Sequence, residues 1–236
     1  LAIGGPFIFR QLFDAKSFTY TYLIGDATSR EALIIDPVLE KAERDIDLVK
    51  ELDLRLLYAI NTHVHADHVT GTRNLKQAIE GCQSVISVLS KAKADMVFND
   101  GDILHCGGIE LECRSTPGHT PGCTTFVLHS VGAAFTGDAL FVRGCGRTDF
   151  QEGSAEQLYD SVHSKVLSLP RNYFLFPGHD YTGRMMTTVD EERRLNPRFT
   201  KSKAEFIEIM NNLNLPRPKL MDHAEPLNMA CGVPNE

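Results

Sequence analysis

Apolar positions along the first third of the chain come in short blocks with a two-residue beat. FIFRQLF (7–13) alternates, FTYTYLIG (18–25) interleaves threonine with aromatic residues, and ALIIDP (32–37) is an apolar run stopped by Pro37. These read as strands, the third of them buried. The beat then changes. Over 40–52, Ala42, Ile46, Val49 and Leu52 recur at helical spacing against a charged opposite face, which predicts an amphipathic helix. LRLLYAIN (54–61) is again a strand, and a helix is predicted over 70–81, closed by Gly81. A second cycle repeats the scheme. It has strands at 84–87, 109–115, 123–129, 133–138 and 173–180, and a helix over 154–169 capped by Ser154. Two more helical stretches, 188–196 and 203–214, precede a Pro-rich coil that ends the chain. Each strand-rich half carries helices able to cover one sheet face, so two packed sheets with helices outside are expected. No linker, short repeat or low-complexity segment interrupts the chain. It reads as one domain, 1–236, with about 185–236 as a helical C-terminal extension packed on it.

Composition narrows the picture only slightly. The 236 residues are 42% hydrophobic and 23% charged, ordinary for a globular chain of this size. A net charge of −7 argues against a nucleic-acid backbone as partner. No apolar run approaches the roughly 18 residues of a membrane span. The six cysteines form no C-x-x-C pair and suggest reduced thiols in a reducing compartment. The chain opens LAIGGPFIF without Met, which fits removal of an N-terminal segment such as an organelle presequence.

Chemistry enters with NTHVHADHVTGT (61–72), where His63, His65, Asp67 and His68 fall within six positions. Further ligand-type residues recur after predicted strands: His119 in TPGHTPG, Asp138 in FTGDALF and His179 in FPGHDY. Loops that leave strand ends hold side chains on a rigid scaffold, so seven N and O ligands converge if those ends lie together. Imidazole and carboxylate without thiolate suit Zn, Fe, Mn or Ni. Gly118 and Gly122 flank the His119 turn, and Thr136 and Gly137 present Asp138. His105, His129, His163 and His223 lie outside the pattern and read as capping or satisfied core residues. Spacing alone leaves open whether one metal or two are bound.

This order of motifs, over about residues 8–181, resembles the metallo-β-lactamase superfamily. The resemblance implies a four-layer αββα sandwich with the site where loops of both sheets meet. It also implies one metal site of His63, His65 and His119 and another of Asp67, His68 and His179, with Asp138 between them. Two thiol-handling groups of the superfamily fit: the binuclear hydroxyacylglutathione hydrolases and the mononuclear-iron persulfide dioxygenases. CGRTDFQEGS (145–154) is similar to the second group; the hydrolases carry an aromatic pair where this chain has Thr148 and Asp149. NPRFT (196–200), IMNNLNLPRPK (209–219) and PLNMACG (226–232) resemble the mitochondrial members of that group.

The resemblance then implies one Fe(2+) per chain, held by His63, His119 and Asp138. His65, Asp67, His68 and His179 become supporting residues or a vestigial second site. The implied reaction turns glutathione persulfide, O2 and water into glutathione and sulfite, in the mitochondrial matrix, or in the cytoplasm of a bacterium. Glutathione carries two carboxylates, so the site needs a cation; Arg147, Arg143 and Arg198 are the candidates, with Tyr181 as a further contact. Cys145, between two glycines, and Cys231 in the tail are candidate pocket thiols, each equally readable as a small packed residue. The apolar first strand and the tail offer surfaces for a homodimer.

Overall fold

A computed structural model describes residues 7–231; the opening LAIGGP and the last five residues, with the readings made on them, lie outside the described part. The first sheet contains β1 (Phe7–Asp14), β2 (Thr19–Asp26), β3 (Glu31–Ile35), β4 (Arg55–Ile60), β5 (Gln83–Ser87) and β6 (Met96–Phe98), in that spatial order. β1–β3 are antiparallel neighbours, and β3–β6 run parallel. The second sheet contains β7 (Ile103–Cys106), β8 (Ile109–Ser115), β9 (Thr124–Leu128), β10 (Ala133–Gly137), β11 (Phe174–Pro177) and β12 (Thr187–Thr188), ordered β12-β11-β10-β9-β8-β7. Only β10 and β11 pair in parallel there.

Strand alternation builds the layers. Tyr20, Tyr22, Ile24, Leu33 and Ile35 point between the sheets onto Phe126, Phe135 and Phe176 of the second. Their neighbours Leu23, Ala32 and Ile34 point outward, under helices α1 (Ala42–Glu51) and α2 (Thr72–Ala78). On the far side, Val127, Ala134 and Leu175 meet Leu158 of α3 (Ala155–Ser161) and Phe206 and Met210 of α5 (Lys203–Asn211). The result is the αββα sandwich. α5 shows how the outer layer is held: Ser202 and Glu205 form a reciprocal capping box, worth about 1 kcal/mol. Fully buried Phe206 stacks on Phe199 at 4.9 Å, and burial of such a ring contributes roughly 1.5–3 kcal/mol.

Several expected elements come out differently. The helix over 154–169 is α3 followed by one wider π-turn, 162–166, in which the Leu167 N–H reaches back to the Val162 carbonyl. The extra residue in that turn keeps Val162, Val166 and Leu167 all against the core. The helix over 70–81 stops at Ala78, because Ile79 is extended and packs beside the first sheet's outer face. Strands β6, β7 and β12 were too short to show as periodic runs. Between β12 and α5 lies α4 (Val189–Leu195), as expected. The tail is not coil: α6 (Met221–Asn228) forms even though it contains Pro226, because its far end is bound from outside the helix.

Candidate metal centre

The ligand loop begins where β4 ends. Asn61 prolongs the sheet by bonding its N–H to the Val85 carbonyl, and then Thr62 turns the chain. The Thr62 N–H and hydroxyl both donate to the buried carboxylate of Asp36, at 2.7 and 2.8 Å. Asp36 leaves the end of β3 with a left-handed backbone (φ 51°) and also accepts from His65 Nε2 at 3.1 Å. Gly137, at the end of β10 with φ 50°, passes so close to this turn that a Cβ would stand 2.8 Å from the Thr62 side chain. That approach places Asp138 beside the histidines. A Cβ at Gly146 would lie 2.6 Å from the Asp138 carbonyl oxygen and 2.9 Å from the His119 ring. The loop after Asp138 is thereby folded over the site.

All seven predicted ligand residues converge. His63, His119 and Asp138 offer one atom each within 4.8 Å of one another, and so do His65, Asp67 and His68. The imidazole orientations are fixed from outside. His63 Nδ1 bonds Thr62 Oγ1 at 2.9 Å, and His119 Nδ1 donates to the Arg147 carbonyl at 2.6 Å. Both Nε2 atoms are left to face inward, with His119 Nε2 3.6 Å from Asp138 Oδ2. Among the described residues, three buried ring nitrogens of the centre have no partner, His63 Nε2, His65 Nδ1 and His68 Nε2; the fourth such nitrogen, His163 Nε2, lies outside it. Buried polar atoms are ordinarily satisfied, so orphans aimed at a common centre are what a metal-ligand set requires. The donor set fits a divalent transition metal.

His65, Asp67 and His68 cluster together, and His179 stands beside them against Asp67. His179 has both ring nitrogens occupied, Nδ1 by Asp138 Oδ1 at 2.7 Å and Nε2 by Asp67 Oδ2 at 2.9 Å. Burial disfavours its cation, but the carboxylates of Asp138 and Asp67 outweigh that and hold its pKa well above the ordinary value. Burial likewise resists ionisation of Asp138, yet His179, His63 and His119 keep its carboxyl below the usual range. For His63 burial dominates, seconded by His65, and lowers the pKa well below normal. It therefore stands neutral at physiological pH, as a ligand must.

Beside the centre opens a cleft of about 570 Å3, reached by His119, Asp138 and Asp67 and walled by Phe141, Val142, Phe150 and Leu213. All three candidate arginines line it. Arg143 is already paired with Glu191 and Glu192. Arg147 is clamped bidentately by Asp149 and donates to the carbonyls of Leu215 and Pro216, which ties the loop to the tail. Arg198 donates to the carbonyl and Sγ of Cys145 and, among the described residues, has no carboxylate partner. Tyr181 stands 63% exposed at the rim, its ring parallel to His179. Cys145 lines the cleft, but burial pushes its thiol up to about 11. Cys231 does not line the cleft. It is buried behind the ligand loop with the Asn61 amide on its Sγ, so it is a packed residue. Asp36, Thr62 and Asn228 support the centre without having stood out in the sequence. Only Asp36 left a signal, a carboxylate at a strand end like the ligands themselves.

The sandwich and its convergent strand-end ligands define a metallo-β-lactamase fold, and the Metallo-beta-lactamase superfamily model matches residues 15–179. Mouse mitochondrial persulfide dioxygenase ETHE1 is 60% identical over 98% of this chain and 91% of its own length. The crystal structure of ETHE1 from Myxococcus xanthus superposes with a TM-score of 0.92 at 51% identity, covering 95% of this chain and 99% of that one. The hydroxyacylglutathione hydrolase GloC of Haemophilus influenzae is 37% identical over 74% of this chain and 90% of its own. Within the metallo-β-lactamase superfamily, the chain belongs to the persulfide dioxygenase family. No helix among the described residues is long and apolar enough to cross a membrane.

Proposed function

We propose that the chain is a persulfide dioxygenase that converts glutathione persulfide, O2 and water into glutathione and sulfite. The observation that carries the reading is the His63, His119 and Asp138 set opening onto a cleft lined by Arg198, which has no carboxylate partner among the described residues. In that set the orienting partners, Thr62 Oγ1, the Arg147 carbonyl and His179 Nδ1 on Asp138, all lie outside the three residues themselves. In the other set Asp67 Oδ2 is spent on His68 Nδ1, within the set, and on His179 Nε2; His119 and Asp138 of the first set line the cleft, against Asp67 alone of the second. This favours one ferrous iron per chain at His63, His119 and Asp138, with His65, Asp67, His68 and His179 supporting it. Iron held by these two imidazoles and the carboxylate would supply the single-electron chemistry that O2 needs with a closed-shell persulfide.

The protein's own groups do the rest. Arg198 receives a carboxylate of the glutathionyl group, and Tyr181 walls the cleft mouth. The side chain of Arg147 shapes the rim by holding residues 215–216, while its carbonyl keeps the His119 tautomer. Phe141, Val142 and Leu213 keep water from the sulfur. The balance is simple: the terminal sulfur is oxidised, O2 is reduced and both its atoms are incorporated, and water releases sulfite and returns glutathione. Cys145 remains a protonated thiol at neutral pH and serves as wall and hydrogen-bond acceptor. The mammalian relatives are named mitochondrial, and we assign this chain to the mitochondrial matrix as well. The test is elemental analysis with paired assays. One iron per chain and persulfide-dependent O2 uptake support the proposal. Two metals per chain with anaerobic hydrolysis of lactoylglutathione would instead identify a thioester hydrolase.

A further inference from the structure

The C-terminal helix reaches the metal centre from behind. Asn228, the last residue of α6, is 3% exposed and sends its side chain into the ligand loop. Its Nδ2 donates to the carbonyls of His65 and His68, at 2.9 and 2.8 Å, and its Oδ1 accepts the Thr70 N–H at 2.9 Å. One amide thus satisfies three buried backbone groups that no strand or helix satisfies. The following residues continue the attachment. Met229 packs against Val64, between two of the histidines; its carbonyl accepts the Lys93 N–H; and Cys231 Sγ accepts from Asn61 at the loop's start. Asn61 in turn bonds Thr70 and Thr72, which close the loop at its other end.

We propose that Asn228 is a positioning residue of the metal centre, fixing the loop that carries His63 together with the supporting His65, Asp67 and His68, and so the position of His63 relative to His119 and Asp138. A loop with several ligand side chains and few backbone partners of its own is held only as well as its anchors. The inference rests on the reading that this loop holds a metal, but not on which metal or which reaction. Coupling is also reciprocal: whatever α6 contributes to metal affinity, bound metal must return as protection of α6.

The test is chelator-competition titration of ferrous iron into the full chain, without oxygen, with the melting temperature of each metal-free protein recorded alongside. Asn228→Ala removes all three bonds. Asn228→Asp keeps the acceptor for Thr70 but sets a carboxylate against two carbonyls. Both are expected to weaken iron binding by about 10- to 100-fold, the range for lost supporting contacts around a metal site. Met221→Ala, which loosens the start of α6 without touching Asn228, is expected to change affinity by less than about threefold, well short of that range. Wild-type affinity in Asn228→Ala, or an equal loss in Met221→Ala, overturns the proposal. If the Asn228 variants do not fold, hydrogen exchange on the wild type decides: iron must slow exchange across 221–231, and unchanged exchange overturns the proposal. If the wild type binds no ferrous iron, the iron reading fails, and zinc titrated in the same way still tests the brace.

Discussion

Replacing Asp36 by Asn should cost metal affinity by reversing a proton chain, with no change in packing. In the native arrangement His63 Nδ1–H donates to Thr62 Oγ1, and the Thr62 hydroxyl donates to an Asp36 oxygen, at 2.9 and 2.8 Å. This leaves His63 Nε2 unprotonated and facing the metal. The other Asp36 oxygen accepts His65 Nε2–H, which frees His65 Nδ1. In Asp36→Asn the new amide N–H presses on Thr62 Oγ1. The hydroxyl then turns its proton toward His63 Nδ1, and His63 must carry its own proton on Nε2, the ligand atom. Hydrogen bonds to a charged partner contribute about 1.5–3 kcal/mol, so the expected loss is about 10- to 150-fold in metal affinity. Chelator-competition titration measures it, with circular dichroism to show the sheets intact. Thr62→Val breaks only the His63 branch and should cost less than Asp36→Asn. Unchanged affinity in Asp36→Asn, or a larger loss in Thr62→Val, would refute the tautomer argument.

Two further outcomes are expected. Arg198→Ala should raise KM for glutathione persulfide by about 10- to 100-fold with little change in kcat, since a charged hydrogen bond to substrate is lost; steady-state kinetics with unchanged KM would reject Arg198 as the carboxylate receptor. Asp45, buried on α1 with its Oδ2 unpartnered, has its pKa raised to about 6 by burial, against the opposing Arg44. A raised native pKa favours folding below the unfolded value of 3.8, and that contribution is lost as pH rises through about 6. Asp45→Asn should therefore stabilise the protein by ~1–3 kcal/mol at pH 8 and hardly at all at pH 4, as denaturant unfolding at the two values will show.

Much of the fold and centre was legible because it is written in local pattern. Tyr20, Tyr22 and Ile24 face the inter-sheet core because their alternation is unbroken, and Ser154 caps α3 as its position suggested. The seven ligand-type residues stood out because packing has no use for so many imidazoles and carboxylates at strand ends. What stayed hidden depends on distant partners. Asp36 reads as the polar end of a buried strand until Thr62 and His65 are brought to it. Asn228 lies near Pro226 in a stretch that resembles coil, and its helical end is tied by tertiary bonds to residues some 160 positions earlier. The arginines show the same limit from the other side. Arg147 and Arg143 are as available as Arg198 in the sequence; Asp149, Glu191 and Glu192 commit them only in the folded chain.

A ferrous centre that joins O2 to a persulfide is tested most directly by O2 uptake of the iron-loaded chain with glutathione persulfide, with sulfite quantified in the same vessel. Uptake should begin only when persulfide is added, with O2 and sulfite in equal amounts. Sulfite formed without O2, or O2 consumed without persulfide, would contradict it.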